Sequence, residues 1–113
     1  MAKFAGTGGG LEGTIKTVDL PAAGSPPSTV AEIDLSDKPT VTLVNIVIFG
    51  EAYMAYAADS ATVKSNLGSD STRQRLAGNA AYSIPVGSNA GVLAFTSAST
   101  AVTDGLSYHL VET

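Results

Sequence analysis

Val41-Thr42-Leu43-Val44-Asn45-Ile46-Val47-Ile48-Phe49 is the stretch whose reading decides the fold. β-branched residues dominate it, and their stiff side chains suit a pleated surface better than a helix turn. Alternation places Val41, Leu43, Val47 and Phe49 on one face and Val44, Ile46 and Ile48 on the other, so both faces are apolar. Such a strand calls for cover on two sides, from the core and from a second sheet or a second subunit, because a bare apolar strand aggregates. It is interrupted by Thr42 and Asn45 and falls far short of the ~20 residues that cross a bilayer as a helix.

The apolar character continues downstream. Between Val41 and Ala58 only Thr42, Asn45, Gly50 and Glu51 are not apolar. The alanine-rich part from Glu51 to Ala58 also suits a short helix. A strand is favoured, with Gly50 as a bulge or bend, since strongly β residues precede it and no N-cap residue separates the halves. Upstream, residues 29–35 put Ala31, Ile33 and Leu35 on one face and Glu32 and Asp34 on the other, and Ser36 to Pro39 ends that strand. Before it, Thr14 to Leu20 reads as a strand, broken by Pro21, Gly24, Pro26 and Pro27.

The rest is punctuated in the same way. Ser60 to Ser65 alternates Ala61 and Val63, Gly68 to Thr72 is a polar loop, and Arg75 to Pro85 carries Leu76, Tyr82 and Ile84. Ser88 to Gly91 reads as a turn, and Val92 to Ser97 and Leu106 to Val111 read as strands separated by a tight turn at Asp104-Gly105. No amphipathic helix and no long internal repeat is legible. The expectation is an all-β chain, a small antiparallel β-sandwich or jelly-roll-like barrel. Its 113 residues fit one domain, divided into a flexible Gly-rich N-terminal arm at residues 1–13 and a single β-sandwich domain at residues 14–113.

Charge and composition exclude several functions. The net charge is −4 and the pI about 4.6, which argues against nucleic acid or an anionic membrane as the partner. Without cysteine there is no disulfide framework, no thiolate nucleophile and no zinc site of the usual kind. After Lys3 the chain lacks the apolar core of a secretory signal, so synthesis and residence in a cytosol are expected.

A search for chemistry yields no catalytic residue, no cofactor and no metal site. Gly8-Gly9-Gly10-Leu11-Glu12-Gly13 matches GxGxxG in letters, but that motif needs a strand before it and a helix after it. His109 is the only histidine, in a strand between Tyr108 and Leu110, and reads as an outward or interface residue rather than a proton shuttle. Glu32 and Asp34 stand about 7 Å apart on one strand face, a spacing that glycosidase carboxylates use but that also suits a solvated edge strand. Arg73 and Arg75 flank Gln74 and either grip a partner's carboxylate or pair within the chain, for instance with Asp70. Tyr53, Tyr56, Tyr82 and Tyr108 offer either a sugar-stacking face or packing.

Ala55-Tyr56-Ala57, Asp59-Ser60-Ala61-Thr62-Val63, Arg75-Leu76-Ala77-Gly78, Tyr82-Ser83-Ile84-Pro85-Val86-Gly87 and Leu93-Ala94-Phe95-Thr96-Ser97 together resemble small β-sandwich virion proteins of tailed bacteriophages. The resemblance covers residues 41–113, with Ala77 where proline is expected. It implies a capsid decoration (cement) protein or another head or tail structural protein, non-enzymatic and located in the virion after assembly in the host cytoplasm. It also implies contact with the major capsid protein and a homo-oligomer, a trimer favoured. The alternative it leaves is a tail- or fibre-associated module that recognises a carbohydrate or host receptor.

Overall fold

The computed structural model describes residues 16–86 and 91–112. The expected arm at residues 1–13 and the turn residues 88–90 lie outside them. Within them the strands are β1 (Lys16–Leu20), β2 (Ala31–Asp34), β3 (Val41–Ile48), β4 (Ala52–Ala57), β5 (Gln74–Leu76), β6 (Ala80–Pro85), β7 (Val92–Ser97) and β8 (Thr103–Glu112), with a helix α1 (Ser60–Leu67) between β4 and β5.

Pairing follows one rule. β1 pairs with β8, β2 with β7, β3 with β6 and β4 with β5, all antiparallel, as in a single long hairpin whose tip carries α1. Rolling that hairpin up adds the β3–β8 and β4–β7 ladders and produces two four-stranded sheets, β1-β8-β3-β6 and β2-β7-β4-β5. This is the wiring of an eight-stranded jelly roll, within the sandwich class the sequence predicts. Within residues 51–58, Ala52–Ala57 form strand β4 rather than a helix, as favoured from the residues preceding Gly50.

The core between the sheets is built from Leu20, Ile33, Leu35, Val44, Ile46, Ile48, Leu76, Leu93, Phe95 and Leu106, all buried. In β3 the even-numbered face supplies Val44, Ile46 and Ile48, while Val41 joins the core through an irregularity of register between Val41 and Leu43. A second, smaller cluster lies on the far side of the β2-β7-β4-β5 sheet, where Val63 and Leu67 of α1 cover Ala55, Val92 and Ala94. Burying two such aliphatic side chains contributes roughly 1.5–3 kcal/mol each.

Two local expectations are corrected. Ser60 to Ser65, read as alternating strand, is the helix α1, capped by Asp59, whose carboxylate accepts from the Thr62 N–H at 2.8 Å. Val63 and Leu67 are four apart, so both land on the sheet-facing side. Asp104-Gly105, read as a tight turn, lies inside β8. Glycine is required there by a close approach: a Cβ on Gly105 would clash with the backbone carbonyl of Val18 in β1. Left-handed backbone falls instead at Asn79 (φ 52°), where the chain leaves β5 and changes sheet.

Candidate functional site

The outward face of the β1-β8-β3-β6 sheet is the least conventional surface of the molecule. Register places Ser107, His109 and Val111 of β8 beside Leu43, Asn45 and Val47 of β3, and these beside Ala81, Ser83 and Pro85 of β6. No second layer of described residues packs over this face as α1 does over the other sheet. Val47 is 46 % exposed and Phe49, continuing the same parity, 42 %, while Val102 in the loop leading into β8 is 64 % exposed. Among the described residues, the outer end of the Val41–Phe49 strand at Val47 and Phe49 therefore lacks the second cover expected for it, while Leu43 and Asn45 on the same face are half-buried.

A polar band crosses the same face below Val47. Thr17 and Ser107 share a hydroxyl hydrogen bond at 3.0 Å, and Ser83 Oγ donates to Asn45 Oδ1 at 2.6 Å. His109 lies between them, opposite Asn45, on the outward face its parity predicts. It is nonetheless 6 % exposed, which the sequence did not disclose. A groove of about 370 Å³ runs along this band.

The rim of the sheet adds a second feature. Strand β6 is an edge strand. Val86 N–H bonds to Thr42 C=O of β3, so alternation turns the hydrogen-bonding groups of Ala81 and Ser83 outward, and Pro85 occupies an outward position where its missing N–H costs no ladder bond. The other edge strands carry charge: Asp19 in β1, Glu32 and Asp34 in β2, Arg75 in β5. Residues Ala80 to Pro85 carry none, so this is the edge least protected against strand addition. Beside it the sheets part, and Met54, Tyr56, Ile84, Pro85, Val86 and Leu93 line a cleft of about 230 Å³.

The residues singled out in the sequence fall elsewhere and are committed to structure. Arg73 pairs with Asp70, donates to the Leu67 carbonyl at the end of α1 (3.0 Å) and stacks on Tyr53 with 3.6 Å from guanidinium to ring centre. Arg75 grips Glu51 with two N–H groups at 3.0 and 2.8 Å, which raises its pKa further. Both arginines thus take the intramolecular option. Glu32 accepts from Ser60 Oγ (2.8 Å) and Asp34 from the N–H and hydroxyl of Ser36 (2.9 and 2.6 Å), which hold the Asp34 carboxyl below its usual range. They anchor the helix start and the turn after β2, an edge strand.

The tyrosines do not form one platform. Tyr82 and Tyr108 pack against the core between the sheets, and the Tyr82 hydroxyl accepts from Ala77 N–H at 2.9 Å. The Tyr56 hydroxyl accepts from Gly91 N–H at 3.0 Å, and Tyr53 lies on the helix side of its sheet. Among the described residues no group of three or more His, Asp or Glu side chains is placed to hold a metal ion. The GxGxxG letters at residues 8–13 lie outside the described residues.

Comparison with family models, curated proteins and solved structures returns no match.

Proposed function

We propose that the protein is a structural subunit of a tailed-bacteriophage virion, a capsid decoration protein that binds the major capsid protein on the outer surface of the head and works as a homo-oligomer, with a trimer as the expected symmetry. The observation that carries the reading is the exposed apolar corner at Val47 and Phe49 at the end of β3, next to the uncharged edge of β6. Exposed apolar side chains beside an unguarded strand edge mark a surface that becomes buried against protein. The charge of −4 favours protein over nucleic acid as what covers it.

Two further points support the virion. The wording of residues 55–97 resembles that of small phage virion proteins. Jelly rolls also recur in viral capsid domains, an analogy of fold that adds weight without assigning a role. A symmetric assembly would shelter the corner through repeated copies of one contact.

Mass spectrometry of purified virions, with copy number, tests the reading. A copy number comparable with that of the major capsid protein is the expected result. A few copies per particle would replace decoration by a neck or tail role, and absence from virions would overturn the proposal.

A further inference from the structure

The ion pair of Arg73 and Asp70 is lopsided. The arginine side chain is 15 % exposed and the aspartate 90 %. A counter-ion standing in water is screened, so the field of the guanidinium falls mainly on the protein side of the pair. The guanidinium also has capacity left. Of the five N–H donors such a group carries, Nε and Nη2 give one each to the same Asp70 oxygen and Nη1 gives one to the Leu67 carbonyl, leaving two. Stacking on Tyr53 fixes its plane, and the Arg75 guanidinium lies 5.9 Å from the same ring.

A pocket of about 270 Å³ opens beside this cation. Gly24 and Ser25, between β1 and β2, wall it together with Ser99 and Thr100, between β7 and β8, and Tyr53 and Arg73 complete the lining. The Ala23 N–H ties the two loops by donating to the Ser99 carbonyl at 2.8 Å. Among the described residues nothing accepts from the Ser25 and Thr100 hydroxyls or from the N–H groups of Gly24, Ser25 and Thr100. Across the ladder from Tyr53, the buried Thr96 hydroxyl also lacks a partner. Uncommitted donors are thus gathered around one cation, and Arg73 is the sole charged residue of the lining. That pattern selects a negatively charged ligand that accepts hydrogen bonds. The volume lies below the ~300–1,000 Å³ of sites for drug-sized molecules, so the ligand is small.

We propose that this pocket binds a small carboxylate, its oxygens taken by the two remaining N–H groups of Arg73 and by the Ser25 and Thr100 hydroxyls. A planar two-oxygen group matches the guanidinium fork, and Asp70, itself a carboxylate, already occupies the Nε–Nη2 edge of that fork. The inference does not depend on the virion reading, since it concerns the isolated subunit.

Titration of the isotope-enriched full chain with sodium acetate at constant ionic strength, followed by the amide and Arg73 Nε–H resonances, tests the site. The expected result is saturable shifts at Gly24, Ser25, Thr100 and Arg73, with sodium chloride producing none. A Ser25→Ala, Thr100→Val variant removes only exposed hydroxyls and should raise the half-saturating acetate concentration roughly fivefold. Asp70→Asn removes the competing carboxylate from Arg73 and should lower that concentration. Shifts that grow linearly with acetate, equal shifts with chloride, or half-saturation unchanged in either variant would overturn the proposal. Saturation by inorganic phosphate with none by acetate would overturn the carboxylate assignment.

Discussion

Strands β3 and β7 occupy equivalent central positions, each second from one edge of its sheet, and the chain treats them in opposite ways. β7, Val92 to Ser97, is buried along its whole length, because the core lies under Leu93 and Phe95 and α1 lies over Val92 and Ala94. β3 is the more hydrophobic by sequence, yet only Val41, Val44, Ile46 and Ile48 are fully buried, and Val47 remains nearly half exposed. Hydrophobicity along a strand thus does not decide which strand is buried twice. Placement of α1 at the hairpin tip decides it, since a helix inserted between β4 and β5 can fold back only over their own sheet. The excess apolar surface of β3 is left for something else.

The comparison breaks first at Phe95. Replacing it by alanine removes the largest fully buried side chain, and a loss of about 3–5 kcal/mol is expected in denaturant unfolding. A loss below about 1 kcal/mol would mean that β7 is not the centre of the core.

Val47→Ser, on the outward face of β3, should change the stability of the isolated subunit by no more than about 0.5 kcal/mol. Chemical denaturation at low protein concentration measures this. A core-sized loss would show that the outward face is covered within the subunit at this position.

The smallest effect concerns the helix that covers β7. The Thr62 N–H holds the Asp59 carboxyl below its usual value, so the stabilisation is present above the ordinary carboxylate pKa and fades as pH falls through the lowered one. Asp59→Asn keeps a capping oxygen without a titrating group, and should flatten the acid limb of thermal stability slightly while leaving neutral pH almost unchanged. An identical acid limb in both proteins would remove Asp59 from the account.

How far the sequence discloses all this differs between the two sheets. Alternation in residues 29–35 and β-branching in residues 41–48 read directly as strands, since a period of two and a stiff Cβ are local properties. The helix was hidden because only Val63 and Leu67 of its residues are buried, too few to impose a period, and Ser, Thr and Asn fill the rest. Its one local signal was Asp59 as an N-cap. Gly105 read as a turn because Asp-Gly usually is one, whereas its role, to let β1 approach, depends on a residue far away in sequence.

The site shows the same division. That Arg73 and Arg75 pair within the chain follows from Asp70, three residues before Arg73, and from Glu51, just before the start of β4, and only the first is close in sequence. The unguarded edge of β6 needs the sheet order before the lack of charge in Ala80 to Pro85 acquires meaning.

Sedimentation equilibrium of the wild-type protein beside a Val47→Lys, Phe49→Lys variant tests most directly whether the open side of β3 exists to be covered by protein. The account predicts concentration-dependent association of the wild type, and a variant that stays monomeric with an unchanged thermal midpoint. A wild type that remains monomeric at high concentration and sediments like the variant would contradict it.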